Sequence, residues 1–295
     1  MDIYVPDYYE NFCCIGSSCR GNCCIGWEID IDSEALSKYM TLDGALGDEL
    51  RANITRSEDG SDCFRLAEND RCPFLNESSL CRLILSGGEE MLCEICRLHP
   101  RFRQWFGDRC EMGIGLCCEE AARMIISDTK PFGLHILSSE EGDGELSDVC
   151  KRLLHIREEL FGIISRGKSF AEISEELLKH CSDAEKELFG TKPVRTAVSH
   201  NVTYAKDVHF LISYLEPLNA NWEKVCAELS PVYAAPDERE LSGYKNPLTY
   251  YIFRYFMKSA DDGEIFLKAA LGVFSAECCA LISKFTGQSL EESAC

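Results

Sequence analysis

The sequence lacks several features that would place it in a membrane or on a secretory route. No apolar run approaches the ~20 residues that span a bilayer. The acidic start, Met1–Asp7, lacks the basic residues and the apolar stretch of a secretory signal. We therefore expect a cytoplasmic protein without membrane insertion. Hydrophobic content of 45% and charged content of 27% are ordinary for a folded chain, so extensive disorder is not expected.

Basic residues are scarce relative to acidic ones. The chain has 30 Lys and Arg against 50 Asp and Glu, which gives a net charge of −20. Such a surface repels phosphate backbones, so nucleic acid is not expected as a partner. The charge serves solubility in the simpler interpretation, and a preference for basic protein substrates is the alternative.

Cysteine is abundant, and its placement carries the information. Thirteen of the 19 cysteines lie between Cys13 and Cys118. Without an export signal the thiols stay reduced, so clustered cysteines are typical of metal ligands rather than disulfides. Several thiolates brought together repel one another, and a cation must hold them. Four clusters carry this pattern: CCIGSSCRGNCCIGW from Cys13, CPFLNESSLC from Cys72, CEICRLHPR from Cys93 and CCEEAAR from Cys117.

The spacing leaves the metal open. Zinc and a [4Fe–4S] cluster each take four ligands, and the well-patterned cysteines exceed that number. They suit two centres, or one centre with additional thiols around it. Six arginines lie near the cysteines in sequence, where they either offset an anionic cluster or remain solvated: Arg20, Arg71, Arg82, Arg97, Arg101 and Arg123.

The composition and the hydrophobic pattern of the chain change near residue 140. Asp32 and Ser33 predict the start of a helix that runs into the 40s. The alternation over 27–32 predicts a short strand, and the polar stretch 138–144 predicts a linker. We therefore expect a mainly α fold, in which a cysteine-rich metal-binding region with little strand (residues 1–137) packs on a helical domain (residues 145–295).

Apolar residues of the second half recur at helical spacing, which predicts a bundle. The predicted faces are Val149, Leu153, Ile156, Leu160, Ile163 and Ile164; Tyr204, Val208, Leu211, Ile212 and Leu215; Leu248, Tyr251, Ile252, Tyr255 and Phe256; and Leu267, Ala270, Leu271, Phe274 and Cys278.

Five motifs in this order resemble the flagellin lysine-N-methylase family. They are CIGSSCRGNCCIGWEIDID from Cys14, CPFLN with LC ending at Cys81, LCEICRLHPR from Leu92, FGDRCEMGIGLCCEEAAR from Phe106 and YYIFRYF from Tyr250. The core of the pattern is also similar to small cysteine-cluster proteins that chelate zinc or iron. Carried over to this chain, the family pattern marks nine ligands: Cys14, Cys19, Cys23, Cys24, Cys72, Cys81, Cys93, Cys96 and Cys118.

The resemblance implies an enzyme that methylates lysine side chains of flagellin. It implies S-adenosylmethionine as methyl donor and an iron–sulfur cluster, with 4Fe–4S expected and zinc as the alternative. The competing hypothesis is an iron- or zinc-binding cysteine-cluster protein without methyl transfer. The segment 111–115 (EMGIG) is the nearest match to a glycine-rich cofactor loop, and it lacks the βαβ context of one.

Methyl transfer requires a neutral lysine amine, although a free lysine has a pKa of ~10.4. A base, a tyrosine or desolvation must lower that pKa, and aromatic faces would attract a sulfonium. Candidates near the cysteines are Tyr8, Tyr9, Trp27, Glu28 and Glu120, each of which also has an ordinary structural explanation. We interpret two histidines, His99 and His135, as structural.

Overall fold

The computed structural model describes residues 1–141, 144–190, 242–289 and Ser293. These residues divide into two compact units. The cysteine unit comprises Cys13–Phe102 and Cys118–Glu120, and the sheet–helix unit comprises Met1–Phe12, Arg103–Cys117 and the described part of Ala121–Cys295. The units are sets of mutually contacting residues, so the predicted domain division at 137–145 stays a prediction.

Ten α-helices and six strands form the described fold. The helices are α1 (Ser33–Thr41), α2 (Ala45–Asn53), α3 (Arg82–Gly87), α4 (Glu94–Leu98), α5 (Glu119–Ser127), α6 (Asp148–Ser165), α7 (Phe170–Phe189), α8 (Lys245–Tyr255), α9 (Ser259–Asp262) and α10 (Ile265–Thr286). The strands are β1 (Asp2–Pro6), β2 (Ile54–Arg56), β3 (Asp62–Phe64), β4 (Arg101–Phe106), β5 (Arg109–Ile114) and β6 (Leu134–Ser139).

The cysteine unit has a small aromatic core. The ring of Phe64 stacks on that of Tyr39 at 5.8 Å and meets the ring of Phe74 edge-on at 4.9 Å. All three side chains are almost fully buried, as is Leu50 from α2. Such pairs add to the free energy of burial by fixing relative orientation. The core of this unit is therefore ordered by aromatic contacts as well as by its cysteines.

The expectation of a mainly α fold is wrong, because the structure is a mixed α/β fold. A four-stranded sheet in the order β4-β5-β1-β6 belongs to the first half of the chain. Its central strand β1 runs parallel to β5, with Ile3 opposite Cys110, and antiparallel to β6, with Val5 opposite His135. Strands this short leave little periodicity in the sequence, and both partners of the central strand β1 lie more than 100 residues away from it. The predicted linker also begins inside β6 at Ser138.

The prediction of a strand over 27–32 is also wrong, because the segment has the burial pattern of a strand but not its hydrogen-bonded pairing. Ile29 and Ile31 are buried while Asp30 is exposed, as the alternation indicates. However, the segment makes only an isolated antiparallel bridge, between Asp30 and Cys63, and no ladder. Alternation therefore identified which side chains are buried, but not backbone pairing.

The helices of the sheet–helix unit follow their sequence signals with one exception. The predicted face of α6 is confirmed from Leu153 to Ile164, with Val149 at its exposed start. Ser169 and Glu172 form a capping box at the start of α7, which satisfies backbone N–H groups there. The predicted face over 204–215 lies outside the described residues.

The exception is α10, whose predicted face is wrong. Leu267 and Leu271 are 51% and 40% exposed, whereas Ala269 and Val273 belong to the buried face. By length and composition α10 is also apolar enough to cross a membrane, which the sequence interpretation missed, and 61% of its most apolar window is buried within the protein. A helix that is apolar all round carries no periodic signal to say which side faces the core.

Candidate metal centre

All nine predicted ligands belong to the cysteine unit. Every cysteine in the described part of the chain is a free thiol. Five of the nine either lie in the hydrophobic core of this unit or pack against it: Cys24, Cys72, Cys81, Cys93 and Cys96. We call these five residues the thiol cluster. Predominantly apolar surroundings for five thiols are what a buried metal centre needs, because water then competes poorly for the ligands.

Backbone pairing brings distant parts of the thiol cluster together. The N–H of Cys72 donates to the carbonyl of Cys24 at 2.8 Å, next to an antiparallel bridge between Ile25 and Arg71. A second bridge joins Leu75 to Cys81, directly before α3. The first two cysteine motifs are therefore held side by side by main-chain hydrogen bonds.

The third motif places its two thiols within one helical turn. Cys93 precedes the first residue of α4, and Cys96 lies inside that helix. Their Sγ atoms are 3.5 Å apart. The CxxC spacing at a helix start produces this approach, because residues three apart lie on the same helical face.

One carboxylate fixes the start of α4 relative to α1. Asp32 caps α1 by accepting from the N–H of Ala35 at 3.0 Å, which confirms the predicted helix start. Its other oxygen accepts from the N–H of Glu94 at 2.6 Å, at the start of α4. Burial works against the charge of Asp32, but these backbone hydrogen bonds outweigh it and lower the pKa of the carboxyl. Asp32 therefore positions the CxxC helix.

Replacing Asp32 by alanine should destabilise the cysteine unit by about 1–2 kcal/mol, since it removes a cap and leaves a second helix start without its acceptor. Urea unfolding followed by circular dichroism measures the change. Asp30→Ala, an exposed acidic residue two positions earlier, should change the free energy of unfolding by less than ~0.5 kcal/mol. Equal effects of the two substitutions would contradict the double-cap interpretation. Because the pKa of Asp32 is lowered, its contribution should persist above pH ~4 and disappear as the pH falls further.

The thiols of the cluster are electrostatically coupled. Burial raises the pKa of Cys72 to about 11, with further contributions from Cys81 and Cys93. The hydrogen bond to Cys93 and burial raise the pKa of Cys96, and Cys24 and Cys72 add to that shift. Bringing these five side chains together as thiolates is therefore unfavourable unless a cation neutralises them.

A second group forms around Glu119. Cys19 donates to Glu119 at 3.5 Å and to the carbonyl of Gly21 at 2.9 Å, and it also interacts electrostatically with Cys118. Arg20 binds the same carboxylate through Nε at 2.9 Å and through its backbone N–H at 2.7 Å. Arg20 therefore neutralises the carboxylate of Glu119, which is neither of the two roles predicted for the arginines.

The nine cysteines do not converge at one point. Cys14 is exposed, and Cys23 is exposed beside Trp27, whose indole donates to the Cys23 carbonyl. Among the described residues, no three His, Cys, Asp or Glu side chains are arranged so that they could hold a metal ion. The structure therefore supplies a donor set in one core, with a second pair at Cys19 and Cys118, and does not show a formed coordination site.

The catalytic candidates are dispersed. Trp27 is 39% exposed and meets His99 edge-on at 5.3 Å. Tyr9 and Glu120 are buried, whereas Glu28 is exposed and bonds to the thiol of Cys63. In the sheet–helix unit, His135 binds Asp7 at 3.1 Å and Glu10 at 3.2 Å, which raises its pKa.

The segment considered as a cofactor loop is a buried strand. Residues 111–114 belong to β5 and Gly115 follows its last residue, and Glu111 is fully buried in an ion pair with Arg157. Arg109 binds the same carboxylate at 2.7 Å. The sequence interpretation missed this buried charge cluster, because an arginine among the apolar positions of α6 gives no sign of its distant partner.

Sequence reasoning also missed a cavity in the sheet–helix unit. It has a volume of about 440 Å3, and Tyr8 and Tyr250 both contribute to its wall. Burial, together with the neighbouring Tyr250 and Asp128, raises the pKa of Tyr8. The sequence interpretation singled out both residues, Tyr8 as a catalytic candidate and Tyr250 as the first residue of the YYIFRYF motif. Nothing in the sequence indicates that the two side chains line the same cavity.

Comparison with known proteins connects the chain to one enzyme family. It is 26% identical over 134 residues to a protein named lysine-N-methylase from Salmonella typhimurium, and 27% identical over 134 residues to its counterpart from Salmonella choleraesuis. The chain is a relative of the lysine-N-methylases. Each match covers 44% of this chain and 33% of the lysine-N-methylase, so the shared segment spans about a third of those relatives.

A third relative is the flagellar biosynthetic protein FliU of Salmonella muenchen. It is 26% identical over 134 residues, covering 44% of this chain and 79% of that protein. These matches confirm the family resemblance seen in the cysteine motifs. No protein-family model and no solved structure matches the chain.

Proposed function

We propose that the protein is a lysine N-methyltransferase that acts on flagellin. Two relatives carry the name lysine-N-methylase and a third is named as a flagellar biosynthetic protein, and this similarity is the observation that supports the proposal. A cytoplasmic location is part of the proposal, because the free thiols of the described residues persist best in a reducing compartment.

The proposal includes S-adenosylmethionine as donor, which when bound supplies an electrophilic methyl group on a sulfonium. The protein's own task is to present a neutral lysine amine. A lysine is charged at neutral pH unless its pKa of ~10.4 is lowered. Transfer of the side chain from water into a buried site disfavours the charged form by desolvation and lowers that pKa.

The proposal also assigns an iron–sulfur cluster to the cysteine unit, with zinc as the alternative. The chemistry of the donor set fits such a group, because five free thiols share one hydrophobic core. Cys24, Cys72, Cys81, Cys93 and Cys96 would supply the ligands there. The remaining four predicted ligands stay predictions: Cys14, Cys19, Cys23 and Cys118. Neutralising the thiolates would let these segments remain together in the one hydrophobic core that they share.

Co-expression with flagellin tests the proposed activity. Intact-mass analysis of flagellin should show added methyl groups, in steps of one, when the protein is present and none when it is absent. Unmodified flagellin from cells that contain soluble, metal-loaded protein would contradict the proposal. In that outcome the alternative function, a metal-binding protein without methyl transfer, is supported by the thiol cluster alone.

A further inference from the structure

The cavity of about 440 Å3 in the sheet–helix unit lies among α6, α8, the end of α5 with the segment 128–132 that follows it, and Tyr8. Its volume falls within the range of about 300–1,000 Å3 typical of small-molecule sites. Tyr250 and Ile125 contribute buried side chains to its wall, whereas Glu158 and Lys130 are exposed at its rim. The cavity therefore combines an apolar interior with a charged entrance.

Two pairs of aromatic residues provide flat surfaces in this cavity. The rings of Phe132 and Phe161 lie 4.7 Å apart, and Tyr8 interacts with Tyr250. The hydroxyl of Tyr250 is held in place by accepting from the N–H of Leu116 at 3.2 Å. Aromatic faces bind a planar base by stacking and attract a cation through their π-electrons.

Charged groups of both signs also line the cavity. Asp128 is held by a bond from the N–H of Lys130 to Oδ1 at 3.0 Å, and its carbonyl accepts from the Asn246 amide at 2.7 Å. Lys245 contributes an ammonium group that is anchored on the carbonyl of Lys168 at 3.1 Å. The carboxylate suits hydroxyl donors and cations, and the ammonium groups suit a carboxylate.

We propose that this cavity binds S-adenosylmethionine, an inference that rests on the proposed methyltransferase function. The ligand has a planar base for the aromatic faces, sulfonium and ammonium charges and sugar hydroxyls for Asp128, and a carboxylate for the lysines. A second cavity in the same unit, of about 540 Å3, is lined by Asp261, Asp262 and Glu264. Among the described residues that line it there is no lysine or arginine to meet the ligand's carboxylate.

Gly162 offers a direct test. It lies in α6 on the wall of the cavity, and a Cβ added there meets no atom within 4 Å. Gly162→Met should therefore fill part of the cavity without a clash, and its higher helix propensity should not lower the stability of α6. The matched control is Gly167→Met, since a Cβ at Gly167 also meets nothing and that residue does not line the cavity.

Isothermal titration calorimetry of the anaerobically purified protein with S-adenosylmethionine measures the effect. We expect Gly162→Met to weaken binding at least tenfold and Asp128→Asn to weaken it several-fold. Gly167→Met and Asp261→Asn, a charge change in the second cavity, should bind like the wild type. Thermal unfolding confirms that each variant is folded.

Two outcomes overturn the inference. If Gly162→Met binds S-adenosylmethionine as tightly as the wild type, the donor lies elsewhere, and the methyltransferase proposal still stands. If the wild-type protein does not bind S-adenosylmethionine, the cavity assignment and the choice of donor both fail. Flagellin methylation, measured separately by mass, then decides whether the proposed activity fails as well.

Discussion

Arg157→Met is expected to destabilise the sheet–helix unit by about 3 kcal/mol, near the lower end of the cost of breaking a buried ion pair. The guanidinium of Arg157 donates to both oxygens of Glu111, at 2.7 and 2.5 Å, and both side chains are fully buried. Removing the arginine leaves Glu111 with Arg109 as its remaining cationic partner among the described residues. Urea unfolding followed by circular dichroism measures the loss.

A matched control lies on the same helix. Arg152 pairs with Glu187 at 3.4 Å across an exposed surface. Because surface pairs contribute about 0–1 kcal/mol, Arg152→Met should leave the free energy of unfolding nearly unchanged. If both substitutions lower the free energy of unfolding equally, the buried pair contributes no more to stability than the surface pair, which would contradict the prediction.

The effect of Arg157→Met should also depend on pH. Burial opposes the charge of Glu111, but Arg157 and Arg109 outweigh it and hold the pKa of the carboxyl below its usual value. A carboxyl with a lowered folded-state pKa stabilises the protein above its unfolded pKa of about 4.3. That contribution is lost as the pH falls through the folded value. The difference between wild type and variant should therefore be full at pH 7 and shrink below pH ~4.

Cys72→Ser is expected to prevent binding of the metal centre that we propose for the cysteine unit. Cys72 is buried in the core, and its backbone pairs with that of Cys24. A serine hydroxyl is a poor ligand for iron or zinc, so the remaining thiols would lose the cation that neutralises them. Metal analysis and the visible spectrum of anaerobically purified protein measure the loss. A decrease of about 3 kcal/mol in stability would lower the Tm of a unit this size by roughly 12–24 °C.

Cys13→Ser is the control for this prediction. Cys13 is exposed in the same unit, where it opens the first cysteine cluster but is not one of the nine predicted ligands. The variant should retain the metal and melt at the wild-type temperature. Full metal content in Cys72→Ser would contradict the placement of the centre in the thiol cluster. A colourless protein that contains zinc would contradict the iron–sulfur assignment and leave the ligand prediction in place.

Local signals in the sequence predicted local structure well. The start of α1 at Asp32 and the buried face of α6 follow from a cap and from helical spacing, both of which involve neighbouring residues. The cysteine motifs indicated a resemblance to the lysine-N-methylases, and the sequence similarity to them over 134 residues confirmed that relationship. The buried face of α10 could not be predicted in this way, because its composition is apolar on every side.

The sequence by itself determined where the cysteines lie, how the helices begin and that acidic residues exceed basic ones. Only the tertiary structure decided that β1 pairs with β5 across more than 100 residues, and that Glu111 meets Arg157. It also decided that five of the nine predicted ligands share one core, while Cys19 lies with Cys118. The physical reason is that caps and periodicity act between neighbours. Strand pairing, burial of charge and convergence of thiols depend on residues that only the complete fold brings together.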